Sequence, residues 1–338
     1  MTSKRSSLWK HIARESLLGN RGLTKAIMVF LPWAVLLTLN KGRSVPGGDA
    51  AGFFQILAVV VCWILVCILA NDLADRPEDR AAGKMRWINR LPFPAAGLVL
   101  LGLYGVGLAI IMGSRSSLKT GGAYAAASAL GLLYSLEPVR FKKRGAWGIL
   151  FYSLAGTAAY AVLPWAWMGG STGALAVLAP AVFLDKWINV HFHQIVDYEN
   201  DFGIGTKTYA VRAGLFRARS TFRMVAGFAV LWFAGAIVFI TLNLTSAWKA
   251  LVPAAAVLII LGGALYSASA KGKGGTETSL VRELPFLYLG LSYALFRAIP
   301  LVLMVRLAFR NPALVTAAAA AIILVGAESL FVYSYCYK

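Results

Sequence analysis

The chain has 338 residues, 59% of them hydrophobic and only 14% charged, with a net charge of +19. That balance excludes an ordinary soluble domain, in which about a quarter of the residues are charged, and it places the chain in a bilayer. The basic excess is spread over several loops between apolar runs. It therefore reads as a topology signal and an attraction for anionic lipid and phosphorylated substrates, and nucleic-acid binding is not expected.

Residues 7–18, SLWKHIARESLL, put Trp9, Ile12, Ala13 and Leu17 on one helical face. They are expected to lie along the membrane surface. The first apolar run starts late and lacks a small-residue cleavage site, so no cleavable signal peptide is expected. Apolar runs follow at 26–39, 52–70, 93–112, 121–135, 146–168, 173–192, 224–243, 250–266, 285–305 and 312–334. Most approach the ~20 residues of a spanning helix. They are continuously apolar and do not alternate, which excludes spanning strands. The predicted fold is all-α, a multi-pass transmembrane bundle of nine or ten helices. Lys and Arg crowd the N-terminus and the loops at 71–92, 136–145, 194–223 and 271–284, which places those segments on the cytoplasmic side. Cys62 and Cys67 lie inside an apolar run and Cys336 near the end, a pattern that implies neither a disulfide framework nor a zinc site.

The acids are more informative than the bases. Seven of the 14 fall in two stretches: Asp72, Asp75, Glu78 and Asp79 in NDLADRPEDR (71–80), and Asp197, Glu199 and Asp201 in HQIVDYENDF (193–202). Each stretch ends an apolar run, the second and the sixth, so both belong at one membrane face. Both carry Asp-x-x-x-Asp, offset by 122 residues, with a Gly and a Lys soon after (Gly83 and Lys84; Gly205 and Lys207). A duplicated helical unit with two halves facing one cavity accounts for this. Acids four apart share a helix face and repel unless a cation lies between them. Hard oxygen donors of this kind suit Mg²⁺, which takes one or two carboxylates and completes its shell with water and phosphate oxygens. The alternative is a polar loop whose acids balance nearby arginines.

At 100° per residue, Lys186, Asn189, His193, Asp197 and Asp201 fall within about 60° of one direction, so this stripe of the sixth helix is expected to line the cavity. Lys186 either meets substrate or pairs with Asp185, and Asn189 is a candidate acceptor or cavity residue. His193 either orients a carboxylate or meets an acceptor, and His191, on another face, is read as structural. Glu199 points about 160° from Asp197 and is expected to matter least to the metal. Arg297, in the ninth run, and Glu328, in the tenth, are expected to pair inside the bundle.

These motifs resemble the UbiA superfamily of intramembrane prenyltransferases. Its Asn-Asp-x-x-Asp-x-x-x-Asp motif is matched by Asn71, Asp72, Asp75 and Asp79, and its second motif by DYENDFGIGTKTYAVRAG (197–214). Its Tyr-Ser-x-x-Pro turn is matched by YSLEPVRFKKRG (134–145). The resemblance runs over roughly residues 20–305 and implies a membrane domain at 23–310. Residues 1–22 are then a cytoplasmic N-terminal segment, and 311–338 an additional C-terminal helix. It further implies a helical bundle around a central cavity, in which Asn71, Asp75, Asp79, Asp197 and Asp201 hold Mg²⁺ on a prenyl diphosphate. Arg76, Arg140, Lys142 and Lys207 would neutralise the diphosphate, and Tyr134 would line the acceptor cavity. The loop KMRWINRLP (84–92) departs from the Arg-Pro-Leu sequence of many members, so its contacts do not carry over.

The implied chemistry is ionisation of a prenyl diphosphate to an allylic cation, stabilised by metal and preorganised positive charge. Tyr134, Tyr152, Trp165, Trp167, Trp187 and Tyr198 are the aromatics available to face the cation. A hydrophobic acceptor captures it, and Asp72, Glu199 or His193 removes the proton. A terpene cyclase on the same scaffold and an ion-coupled transporter are the competing readings. The transporter is disfavoured because its acids belong near the midplane. No obligate protein partner is evident, and the expected location is a bacterial inner membrane with a cytoplasm-facing site.

Overall fold

The computed structural model describes residues 23–39, 48–81, 83, 86–114, 118–244, 246–270 and 286–336. The amphipathic stretch at 7–18 and the basic loop at 271–284 lie outside the described residues. Ten helical segments follow the ten apolar runs, and no strand forms among the described residues. Helix α1 opens as a 3-10 turn (Leu23–Val29) and continues as an α-helix (Phe30–Leu39). Then come α2 (Ala50–Ala74), α3 (Phe93–Gly113), α4 (Leu118–Ser135), α5 (Ala146–Met168) and α6 (Thr172–Val196). The last four are α7 (Leu215–Leu242), α8 (Ser246–Ala270), α9 (Leu287–Arg310) and α10 (Val315–Cys336).

Among the described residues, α2, α3, α5, α6, α7 and α9 are long and apolar enough to cross a membrane, and shorter apolar helices run over Lys25–Leu39, Trp248–Ile259 and Pro312–Glu328. Two of the remaining helices have a structural reason for being shorter or less apolar. Helix α1 is short and enclosed over most of its length: Ala26 to Leu36 are buried against α2, α5, α9 and α10. Helix α4 trades hydropathy for small residues that let neighbours approach, as in other membrane bundles. A methyl group on Gly131 of α4 would stand 2.4 Å from the Cys67 sulfur on α2, and one on Gly107 of α3 would stand 2.2 Å from the Tyr124 hydroxyl on α4. Helix α3 packs on α2 and otherwise presents Phe93, Leu98, Leu101 and Met112 outward.

Helices α5 and α9 each contain one π turn, at Ala158–Val162 and Ala294–Ala298. Each turn ends two residues before a proline, Pro164 or Pro300. Proline has no N–H to donate and its ring crowds the carbonyl one turn back, and widening the preceding turn accommodates both effects.

The bundle contains a backbone repeat that reaches further than the motifs. Helices α2 and α6 both have 25 residues, and each is capped at its start by a side chain that accepts from the third backbone N–H on: Asp49 from Gly52, and Ser171 from Ala174. Both end at an Asp with φ −84° and ψ near 5°, followed by six-residue helices, Arg76–Ala81 and Tyr198–Gly203. A left-handed glycine follows in each half, Gly83 and Gly205. Every one of these features is displaced by 122 residues, without insertion or deletion, through to the starts of α3 and α7.

The expected pair closes the far side of the bundle. Arg297 donates from Nε and Nη2 to the two carboxylate oxygens of Glu328, at 3.2 and 2.8 Å. It joins α9 to α10, which also packs on α1 and α2, so the last helix is built into the bundle. Removing one member of a buried pair strands the other charge, at a cost of about 3 to 5 kcal/mol. Glu328→Ala is therefore expected to lower the thermal unfolding temperature markedly. The double variant Arg297→Met/Glu328→Met should recover most of that loss, as read by unfolding in detergent.

Candidate active site

The two acidic stretches are built by interrupted helices. Asp75 and Asp197 sit where α2 and α6 stop, with the backbone in the bridge region, and a short helix restarts at once. The backbone N–H of Asp79 donates to the Asp75 carbonyl and that of Asp201 to the Asp197 carbonyl, both at 2.8 Å. Each Asp-x-x-x-Asp therefore occupies one helical turn that crosses a break. This placement opposes the helix dipole, whose negative end is the C-terminus. The acids need cations from elsewhere.

The cations come from the turn after α4. Asp75 accepts from Arg140 Nη2 at 2.7 Å, from Lys142 in a short ion pair, and from the Asn71 amide at 2.9 Å. Lys142 also donates to the Asn71 carbonyl oxygen at 3.2 Å. Arg140 reaches Glu78 and Glu137, both at 3.3 Å, and Lys143 pairs with Glu78. Burial pushes the Asp75 carboxyl up, but Lys142 and Arg140 outweigh it and hold the group below the usual carboxylate range. Asp201 moves the other way: burial raises it and the Asp197 charge adds, against Thr208 and Lys142. Lys142 thus acts on both stretches, and the two acid clusters share one end of the bundle.

Backbone geometry fixes the basic turn. Arg140 adopts a left-handed φ of 37°, a strained choice for a non-glycine residue, held by its three carboxylate contacts. Gly145, at φ +62°, donates its N–H to the Lys207 carbonyl at 3.1 Å, tying this turn to the loop after α6.

Below the acids lies a cavity of about 280 Å³. Helix α2 contributes Trp63, Cys67, Asn71 and Asp72, and α4 contributes Gly131, Tyr134 and Ser135. Helix α5 supplies Tyr152, Gly156 and Tyr160, α6 supplies Lys186, and Lys25 and Lys142 also face it. Tyr134 and Tyr152 pack along its wall with ring centroids 5.6 Å apart and planes tilted by 57°.

Of the residues singled out from sequence, Asn71, Asp72, Tyr134, Lys142 and Lys186 line this cavity, and Asp75 and Arg140 bond one another above it. Asp201 is half-buried beside them, while Asp197, Glu199 and the Lys207 side chain are exposed. Arg76 is drawn elsewhere: it donates to the carbonyls of Asn89 and Leu91, at 2.5 and 3.3 Å, and fastens the loop after α2. Asn189 and His193 are exposed and do not line the cavity, so the α6 stripe faces it only at Lys186. Trp165, Trp167, Trp187 and Tyr198 also stand off the cavity wall. His191 is fully buried between Tyr209 and Phe222, as expected of a structural residue.

Sequence reasoning missed Arg86, which lies 3.5 Å from Asp79 and 4.0 Å from Asp72 in the loop whose contacts did not carry over. It also missed Trp63 and Tyr160. Trp63 continues the four-residue spacing of Cys67, Asn71 and Asp75 one turn deeper, a signal that was available in the sequence.

Among the described residues no three His, Cys, Asp or Glu side chains converge into a ready cage, because Arg and Lys side chains lie between the carboxylates. The donors are nonetheless hard oxygens in two clusters around a shared lysine, a set that suits Mg²⁺ completed by water and phosphate oxygens. The tie at Gly145 is testable. A methyl group there would stand 2.9 Å from Arg212 Cδ on a left-handed backbone, so Gly145→Ala is expected to cost about 1 to 3 kcal/mol. Thermal unfolding measures the loss, and limited proteolysis should show cleavage moving to residues 137–145.

The profile of the UbiA prenyltransferase family matches residues 27–282. No match emerges among curated proteins. Among solved structures, the chain is similar to a UbiA homolog from Archaeoglobus fulgidus bound to DMAPP and Mg²⁺, at 19% identity and a TM-score of 0.55. That likeness covers 81% of this chain and 96% of that one. A UbiA homolog from Aeropyrum pernix K1 matches at 15% identity and a TM-score of 0.55, covering 83% of this chain and 94% of its own. A structure of digeranylgeranylglyceryl phosphate synthase matches at 14% identity and a TM-score of 0.54, covering 81% and 94%. These likenesses establish a common fold, and with the family profile spanning most of its length the chain belongs to the UbiA prenyltransferase family.

Proposed function

We propose that the protein is a Mg²⁺-dependent intramembrane prenyltransferase, which moves a prenyl group from an allylic diphosphate to a nucleophilic acceptor. The observation that carries this reading is the stacked arrangement of the site. Two acid clusters and a basic turn occupy one end, and an aromatic cavity descends from them. Asn71, Asp75, Asp79, Asp197 and Asp201 would hold the metal, which neutralises the departing diphosphate when bound. Arg140 and Lys142, now on Asp75 and Glu78, would turn to the diphosphate oxygens as metal takes over the carboxylates. The homologs crystallised with DMAPP or GPP and Mg²⁺ support this assignment of substrate and metal.

Tyr134 and Tyr152 line the cavity below the diphosphate end and would stabilise developing positive charge on the prenyl carbon. Asp72, buried at the cavity wall, is the better placed of the expected bases, since His193 stands outside the wall. The basic loops orient the site toward the cytoplasm.

Purified protein with Mg²⁺ and allylic diphosphates of several lengths, with and without aromatic acceptors, tests the reading. Prenylated acceptor is the expected product, and a cyclic hydrocarbon formed without acceptor would overturn it. Asp75→Ala and Asp197→Ala should each slow diphosphate release by roughly 10²-fold or more, the scale of losing a main electrostatic contact. Glu199→Ala should stay within about threefold, since it stands off the metal face.

A further inference from the structure

Helix α7 has 28 residues, Leu215–Leu242, and at 1.5 Å per residue it is about 42 Å long. The hydrocarbon core of a bilayer is only about 30 Å thick. The excess lies at the start of the helix. Met224 to Leu242 carry no charge and span about 28 Å by themselves, whereas Arg217, Arg219, Ser220, Thr221 and Arg223 fill the turns before them. The first turns of α7 therefore stand at the level of the lipid headgroups.

Those turns also face outward. Phe216, Arg217, Ser220, Arg223 and Met224 are exposed, and at 100° per residue they share an arc of about 120°. The same side of the helix continues into the bilayer as Phe228, Leu231, Val238 and Leu242, each more than half exposed. One lipid-facing side thus begins basic and ends apolar. Arg219 turns away from it and is half-buried.

The fold does not demand bases there. The 122-residue displacement pairs Arg217 with Ala95, Ser220 with Leu98 and Arg223 with Leu101 of α3. Leu98 and Leu101 are 70% and 68% exposed, so α3 presents hydrocarbon side chains at the register where α7 presents a hydroxyl and a guanidinium. The cytoplasmic preference of Lys and Arg accounts for bases in loops. It does not account for two on the outward side of a spanning helix whose counterpart has none. Nor does the protein neutralise them. Arg86, Arg140, Lys142 and Lys143 all meet carboxylates, but the sequence holds no Asp or Glu between Asp201 and Glu277. Among the described residues neither Arg217 nor Arg223 engages an acid.

We propose that the start of α7 is a binding site for an anionic phospholipid, whose phosphate is held by Arg217 and Arg223 and whose acyl chains run down the apolar side below. The two arginines stand about 9 Å apart along the axis, close enough for their long side chains to converge on one headgroup across Ser220. Guanidinium groups donate paired hydrogen bonds to phosphate oxygens. Phe216, 86% exposed, sets an aromatic ring at the interfacial level that such rings favour. Met224 and Phe228 continue the contact along the acyl chains. A lipid fits this surface better than a soluble phosphate does, because the basic end runs without a break into a side that acyl chains cover. The Tyr209 hydroxyl lies 3.0 Å from Thr221 Oγ1, so a lipid held here would also brace the loop after α6. Nothing in this site depends on the transfer reaction.

The test is a titration of the purified full-length protein, in a neutral detergent, with phosphatidylglycerol, phosphatidylcholine or glycerol phosphate. Phosphatidylglycerol should raise the thermal unfolding temperature to a plateau, the other two should leave it unchanged, and added salt should weaken the effect. The affinity for fluorescently labelled phosphatidylglycerol, measured well below the unfolding temperature, should fall about fivefold in R217Q or R223Q and about 30-fold in the pair. R223L, which installs the residue that α3 carries at the matching register, should lose as much as R223Q. K249Q removes an exposed lysine from the start of α8 and should bind like wild type. Unchanged affinity in R217Q/R223Q would overturn the site, as would equal responses to phosphatidylglycerol and phosphatidylcholine. A response to glycerol phosphate as large as that to phosphatidylglycerol would also overturn it, since the ligand would then be a soluble phosphate.

Discussion

Carboxylates at the C-terminal ends of two apolar helices are the constraint on which the rest of the site depends. A helix ends in uncompensated carbonyls and a negative dipole, so Asp72, Asp75 and Asp197 stand where acids are least welcome. Their charge is tolerable only if cations reach them. In this structure the cations arrive on two different elements: Arg86 from the loop after α2, and Arg140 and Lys142 from the turn after α4. The turn is in turn tied to the loop after α6 through Gly145. The same electrostatic demand would draw in a divalent metal, and a metal would release the basic side chains for a second anion. An arrangement that looks merely neutralised without ligand is thereby suited to exchange its partners.

The repeat explains how two such ends come to face one cavity. From the caps at Asp49 and Ser171 to the starts of α3 and α7, the backbone runs twice through the same course. What differs is the side chains hung on it. Asn71 corresponds to His193, Asp72 to Gln194, and Arg86 to Thr208. The first copy is the more heavily charged, with Asn71 and Asp72 on the cavity wall. In the second copy Gln194 accepts from the backbone N–H of Tyr209 at 3.1 Å and supports the loop instead. Deeper in the bundle the inequality reverses, and Ile64 in the first copy corresponds to Lys186 in the second. One copy is thus specialised toward the metal end and the other toward the floor.

Much of this was legible in the sequence, for physical reasons that also mark where legibility stopped. Continuous apolar runs located α1 to α10, because in a bilayer each backbone polar group must be satisfied within its own segment. The Asp-x-x-x-Asp spacing located both clusters, because acids are too costly near a membrane to be scattered. The Arg297–Glu328 pair followed from the same cost. The direction of individual side chains was not legible. Arg76 neighbours Asp75 in sequence, yet the break in α2 turns it toward the carbonyls of Asn89 and Leu91. Asn189 and His193 share a stripe with Lys186 on an ideal helix, but a stripe spanning four turns does not keep one face toward a cavity walled by several helices. Arg86 sits in a loop with no periodicity, and only the folded chain brings it to Asp79.

The floor of the cavity extends the electrostatic argument beyond the metal end. Lys186, Asp185, Arg297 and Glu328 form two neutral pairs, and both face the region where α6 and α9 meet. The Asp185 carboxylate is held by Ser292 and Tyr288 of α9, and Arg297 follows on the same helix within two turns. Each pair is neutral, so the low-dielectric interior tolerates it, but neither is self-sufficient, because Asp185 relies on α9 and Arg297 relies on α10. The tenth helix lies beyond the residues matched by the family profile. Its Glu328 supplies the countercharge for Arg297 where α6 and α9 meet. A helix remote from the reacting atoms thereby balances a charge carried by α9, the same helix that holds the Asp185 carboxylate at the cavity floor.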